Sequence, residues 1–252
     1  MEIRFTVFIM VGFLTTCMKS AQLYKPASYY FKICHRNEPN YPQCLRKTVE
    51  DLLPQLVEGI QELDIVPIDP LKIPRIEYHD KTGGFEFHSV HTNLTIHGMS
   101  DVNILSMNVD VENLQMDLNT TFPFMRMTSD YEITGRILLL PIYGKGDSEF
   151  NFTNVATSCR MLGKLVVRDG VQYLKLHDIY FDTDISGAKV RMGNLFNGDK
   201  TLGDAANKVF NDNWREAFET YKHLATESIS TIFKDMVNKV LFKFPFEDLY
   251  PE

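Results

Sequence analysis

From Leu202 to Leu241 apolar side chains return every three or four residues, as Ala206, Phe210, Trp214, Ala217, Tyr221, Leu224, Ile232, Met236 and Val240, while Lys208, Asp212, Arg215, Glu219, Lys222, Glu227 and Asp235 fill the other faces. This spacing predicts one long amphipathic helix. At about 1.5 Å per residue it would run roughly 60 Å, about twice the diameter of a small domain. The mean step exceeds the 3.5 residues of a left-handed supercoil and lacks a sustained a/d seam of Leu or Ile, so a sheet rather than a second helix is expected to cover the stripe. Between Ile73 and Met192 the period changes to two, in Phe85–His88, Leu94–His97, Val109–Val111, Leu114–Leu118, Tyr131–Thr134, Phe150–Thr153 and Leu174–His177. Turn chemistry is read at Thr82-Gly83-Gly84, His97–Ser100, Tyr143–Asp147, Arg168-Asp169-Gly170 and Ser186-Gly187. Strands with one apolar face, joined by short turns, predict an α+β fold: an antiparallel meander curled around the helix. Ile137–Pro141, apolar on both faces, is expected to lie deepest.

The N-terminus follows another rule. Arg4 precedes the apolar run Phe5–Leu14, which is followed by small and polar residues to Ala21. That is the length of a signal-peptide core and too short to span a bilayer, so residues 1–21 are read as a signal peptide with an ambiguous cleavage point, and residues 22–252 as one secreted domain. Cys34 and Cys44 bracket a loop carrying Pro39 and Pro42, and a disulfide is the economical reading; zinc with His35 is the alternative, and it lacks a second ligand pair. Cys159 is left over and read as a buried thiol. Sequons at Asn93, Asn119 and Asn151 each place Asn opposite neighbouring apolar side chains, which puts those polar faces outside and fits a glycoprotein.

Few chemistries survive inspection. There is no Gly-x-Ser-x-Gly elbow, no His-Glu-x-x-His, no P-loop, and Gly144-Lys145-Gly146 lacks the rest of a dinucleotide fingerprint. His79, His88, His91 and His97 read as solvated surface histidines, and Asp178, Asp182 and Asp184 as solvated carboxylates sharing one strand face. The formal charge of −7, near −8 once Glu2, Arg4 and Lys19 leave with the leader, comes without a basic stripe and excludes a nucleic-acid binder. No enzyme, metal or cofactor is expected, and no stable membrane insertion. The interior is aromatic and Met-rich, which fits an apolar small-molecule site and a dry packed core equally well.

A resemblance decides between them. Gly59–Ile65, Asp69-Pro70-Leu71, Tyr131–Gly146, Asn194–Gly203, Asn213-Trp214 and the ending Phe244–Pro251 resemble the insect takeout and haemolymph juvenile-hormone-binding protein family across essentially the whole mature chain. The resemblance implies a super-roll sheet around a long helix, an internal hydrophobic tunnel, and non-covalent carriage of a terpenoid, fatty acid or quinone-like lipid in haemolymph or a similar fluid. It also implies a Cys34–Cys44 disulfide. The missing partner for Cys159 departs from true juvenile-hormone binders and favours the takeout branch. The tunnel wall is assigned to Phe85, Phe87, Met107, Val109, Met116, Tyr131, Ile133, Tyr143 and Phe152 from strands and to Phe210, Trp214, Phe218, Tyr221 and Leu224 from the helix, with a tyrosine hydroxyl or the Trp214 indole orienting the ligand. A monomer is expected, with a receptor left open. The alternative is a secreted signalling or interaction glycoprotein with a filled core.

Overall fold

The computed structural model describes residues 25–80, 85–137 and 140–252. The leader, the Thr82–Gly84 turn and residues 138–139 of the Ile137–Pro141 run lie outside the described residues. A first helix, α1 (Tyr41–Glu58), carries Pro42 in its first turn and ends at Gly59, whose φ of 83° suits glycine. The sheet follows: β1 (Leu71–Asp80), β2 (Phe85–His97), β3 (Asn103–Asp110), β4 (Gln115–Ile137), β5 (Leu140–Arg168), β6 (Val171–Asp184) and β7 (Gly187–Met192). Three helices close the chain: α2 (Lys200–Asp212), α3 (Trp214–Leu241) and the short α4 (Phe246–Leu249).

Every pairing is antiparallel, but the sheet is not a simple meander. β5 pairs with β4 along the whole length of β4, from Gln115↔Leu162 to Ile137↔Leu140. β3 takes the first half of β4's other edge and β2 the second half, while β6 and β7 divide the far edge of β5 in the same way. Two strands of 23 and 29 residues, far beyond the usual five or six, must twist and coil, and the sheet becomes a half-barrel.

Two expectations are corrected. Tyr143–Asp147 is not a turn but continuous β5: a Cβ on Gly144 would lie 2.9 Å from Leu195 Cα and one on Gly146 2.4 Å from the Gly193 carbonyl oxygen. These glycines are there because the Gly193–Leu195 backbone crosses directly over the strand. The predicted single helix is two helices. Asn213 leaves helical geometry at φ −116°, ψ 25°, and its backbone N–H and side-chain amide both donate to the Val209 carbonyl, at 3.1 and 2.9 Å. An Asn carboxamide that competes for backbone partners ends one helix, and the Asn213 carbonyl, accepting from Ala217 at 3.1 Å, starts the next.

Asparagines also fasten the helices to the sheet. Asn207 and Asn211, one turn apart on α2, each accept from and donate to a β7 residue: Asn207 bonds both backbone groups of Met192 at 2.8 and 2.9 Å, and Asn211 both of Val190 at 2.8 Å. Asn238 on α3 does the same for Leu176 of β6, at 2.8 and 3.0 Å. Unpaired strand edges thus receive partners from helix side chains, which blocks edge-to-edge association. At the N-terminus Cys34 and Cys44 form a disulfide that packs with Tyr41 against Val109 and Tyr250, joining the start of α1 to the C-terminal end. Cys159 is a buried thiol on β5, pushed up to about 12 by burial.

The core is divided. One cluster (Met161, Leu174, Leu176, Ile179, Leu241, Phe246) closes one end, another (Tyr131, Ile133, Ile142, Met192, Leu195) forms beneath the Gly193–Leu195 crossing, and a third (Leu71, Ile73, Ile76, Leu94, Ile96) lines β1 and β2. Along α3 only Leu241, its last residue, is buried; the apolar residues before it are half-buried. Ile232, Phe233, Met236, Val237 and Val240 pack against buried clusters, while the apolar residues from Trp214 to Ile229 face a space instead of a packed layer.

Candidate functional site

That space is a cavity of about 380 Å³ between the concave face of the sheet and the inner faces of α2 and α3. Ile73 and Ile76 of β1, Leu94 and Ile96 of β2, Met125, Met127 and Ile133 of β4, and Phe150, Phe152 and Val155 of β5 form the sheet wall. Phe210, Trp214, Ala217, Phe218, Tyr221, Leu224, Ala225 and Ile229 form the helical wall. Helical spacing fixes the second set, and strand alternation fixes pairs such as Phe150 and Phe152, between which Asn151 turns outward to donate to Glu149 at 3.0 Å.

Of the residues assigned to the tunnel from sequence, Ile133, Phe152, Phe210, Trp214, Phe218, Tyr221 and Leu224 line this cavity. Val109 and Met116 line a separate cavity of about 70 Å³ near Leu241, Phe246 and Tyr250. Met107 is buried on β3 and lines neither cavity. Tyr131 is buried in the crossing cluster, where its hydroxyl donates to the Gly193 carbonyl at 2.8 Å; burial pushes it up to about 12, and its bond is spent on the fold. Tyr143 points outward, 39% exposed, with its ring edge-on to Phe196. The side chains of Phe85 and Phe87 lie outside the described residues.

The polar content of the wall is small and organised. Lys222 is ion-paired to Glu219 at 2.8 Å, while nearby Arg215 lies over the Trp214 ring and pairs with Asp184 at 2.7 Å. On the sheet side Ser89 and His91 reach the cavity together. The expectation of surface histidines holds for His88, bonded to Glu77 at 2.6 Å on the exposed face, and fails for His91. His91 is buried among Tyr78, Tyr131 and Phe150, and desolvation lowers its pKa to about 4, so it is neutral at pH 7. Its Nε2 lies 3.0 Å from Ser89 Oγ and its Nδ1 2.8 Å from Ser129 Oγ, which is 2.8 Å from Ser148 Oγ.

No group of three His, Cys, Asp or Glu side chains arranged to hold a metal ion occurs among the described residues. Nor is any helix among them long and apolar enough to cross a membrane.

A protein-family model described as haemolymph juvenile hormone binding protein matches residues 9–251. The circadian clock-controlled protein daywake of Drosophila yakuba is 24% identical over 215 residues, covering 82% of this chain and 83% of its own. A Schistocerca gregaria protein whose name refers to beta-carotene binding is 23% identical over 143 residues, 56% of each chain. Among solved structures, Epiphyas postvittana Takeout 1 superposes with a TM-score of 0.74 at 20% identity, covering 87% of this chain and 99% of that one, a likeness of fold. With the family model spanning residues 9–251, the chain belongs to the haemolymph juvenile hormone binding protein family, takeout-like members included.

Proposed function

We propose that this protein is a secreted carrier that holds one small hydrophobic ligand, a terpenoid such as juvenile hormone, a fatty acid or a quinone-like lipid, non-covalently in the cavity beneath α3. The observation that carries this reading is the run of half-buried apolar residues from Trp214 to Ile229 facing an apolar sheet across about 380 Å³ of space. A ligand burying roughly 300 Å² of apolar surface there would gain about 7 kcal/mol before the entropic costs of binding. The Met125 and Met127 side chains suit an irregular hydrocarbon shape. Secretion rests on the residue 1–21 leader and the Cys34–Cys44 disulfide, and glycoprotein status on the sequons at Asn93, Asn119 and Asn151; a monomer is proposed with them. Carriage without catalysis is the role proposed, and a receptor would read the loaded protein from outside. The test is solvent extraction and mass spectrometry of protein purified from secreted medium, with displacement of a fluorescent fatty-acid probe by juvenile hormone, fatty acids and quinones. A stoichiometric lipid or saturable displacement is expected; folded protein giving neither would overturn the carrier and favour a partner-binding glycoprotein.

A further inference from the structure

The cavity wall is apolar except at a few points, and one of them is built through three strands. Ser89 and His91 on β2, Ser129 on β4 and Ser148 on β5 form a continuous hydrogen-bonded run, with residue exposures of 3, 9, 7 and 2%. The inner end is closed: Ser148 Oγ lies 2.8 Å from Ser129 Oγ and 3.3 Å from the Ser129 carbonyl. The outer end, Ser89, reaches the cavity.

Counting protons shows what that end can do. With the His91 proton on Nδ1, Ser148 donates to the Ser129 carbonyl, Ser129 to Ser148, His91 to Ser129, and Ser89 to His91 Nε2; Ser89 then presents only lone pairs to the cavity. With the proton on Nε2, the three bonds between side chains reverse and Ser148 gives up its bond to the Ser129 carbonyl. Ser148 donates to Ser129, Ser129 to His91 Nδ1 and His91 to Ser89, whose own hydrogen is left for a ligand. With the proton on Nδ1 every donor finds a partner inside the run, and with it on Nε2 the Ser89 hydrogen is left over, so Ser89 offers the cavity an acceptor in one arrangement and a donor in the other. Apolar residues at these positions would pack a hydrocarbon carrier with no desolvation penalty.

We infer that Ser89, backed by His91, Ser129 and Ser148, is a recognition point for a single neutral oxygen on an otherwise apolar ligand, accepting from an alcohol or donating to a ketone, ester or epoxide. A carboxylate is disfavoured there, because no cation stands in this run and His91 is kept neutral by burial. This inference rests on the carrier reading and adds the ligand's functional group to it.

The test uses full-length delipidated protein and a matched isoprenoid set, farnesene, farnesol, farnesyl acetone and farnesoic acid, competed against one fluorescent fatty-acid probe. Wild type is expected to prefer the alcohol and ketone to the hydrocarbon by about five- to tenfold, the effect of one net hydrogen bond. Ser89→Ala should erase that preference while leaving farnesene affinity within about twofold. A preference retained in Ser89→Ala, absent in wild type, or strongest for the acid overturns the recognition point and leaves the carrier standing. Failure of folded wild type to bind any of the four overturns both. Infrared difference spectra of bound farnesyl acetone give a readout independent of the variant: the wild-type complex should show the ketone stretch lowered relative to hexane, and an unshifted band overturns the proposal even if Ser89→Ala does not fold.

Discussion

His91 makes stability depend on pH from about 6.5 downward, before carboxylates begin to bind protons in the unfolded chain. Its pKa falls from an ordinary 6.5 to about 4 because its ring is surrounded by Tyr78, Tyr131 and Phe150 and bonded only to serine hydroxyls. Between those values the unfolded chain binds a proton that the folded protein refuses, so folding stability must fall as pH is lowered from 6.5 to 4. Above 6.5 the imidazole is neutral in both states and contributes no slope; below 4 the penalty is complete. At 1.36 kcal/mol per pKa unit, the full loss is about 3 kcal/mol. Tyr78 and Tyr131 do not titrate in this window, both being raised by burial. Glu149, drawn down from 4.5 to about 2 by hydrogen bonds from Arg126 and Asn151, loses its contribution from about pH 4.5 downward and overlaps only the lower end of the window. Urea denaturation of wild type and His91→Gln at pH 7, 5.5 and 4 isolates the effect, because the other groups cancel in the difference. Glutamine keeps a donor and an acceptor but never charges, so the variant should gain about 3 kcal/mol on wild type between pH 7 and pH 4. Parallel pH profiles for the two proteins would refute the burial of a neutral His91.

Three further outcomes follow from the fold. Gly146→Ala should lose on the order of 1–3 kcal/mol in thermal or urea melts, since its methyl would meet the Gly193 carbonyl oxygen of a crossing backbone that cannot move alone. Asn211→Ala strips both backbone groups of Val190 of their partner and should cost about 1–3 kcal/mol, with faster amide exchange at Val190 by NMR. Replacing Cys34 and Cys44 together by Ala opens a ten-residue loop and should lower stability by about 2–3 kcal/mol by chemical denaturation, with the fold retained.

The sequence was legible where one periodicity ran undisturbed and misleading where a single residue broke it. Phe210 on α2 and Trp214, Phe218, Tyr221 and Leu224 on α3 share one apolar stripe that keeps its spacing across the break at Asn213, and all five line the cavity. His91 was hidden by a parity change. Leu94 and Ile96 face inward, and counting back by twos puts Thr92 and Val90 inside and His91 outside. The structure inserts a bulge between Thr92 and Thr95, with Asn93 at φ 53°, which turns Ser89 and His91 inward instead. Tyr131, between Asp130 and Glu132, and Tyr143, between Ile142 and Gly144, both offered a hydroxyl, but one is consumed by the Gly193 carbonyl and the other lies outside; the crossing that decides this is signalled only by Gly144 and Gly146, glycines that local chemistry reads as a turn.

The cavity itself sets the last expectation. The apolar side chains around this space of about 380 Å³ lack packing partners on one side, so they forgo dispersion contacts that a filled core would supply. A helix free to move would settle onto the sheet. α2 and α3 are held at both sides of the cavity-lining stretch, by Asn207 and Asn211 on the β7 edge and by Asn238 on the β6 edge, so the span from Trp214 to Ile229 is kept above the floor. Filling that space from within should therefore separate stability from binding. Ala225→Phe adds a ring to the helical wall on a side that faces the cavity, and delipidated variant should melt at a higher temperature than delipidated wild type while taking up less fluorescent fatty-acid probe. Wild type should recover the difference when ligand is added. A lower melting temperature for the variant, with ligand uptake unchanged, would mean that Ala225 already abuts packed atoms and that the space beneath α3 is not where the ligand goes.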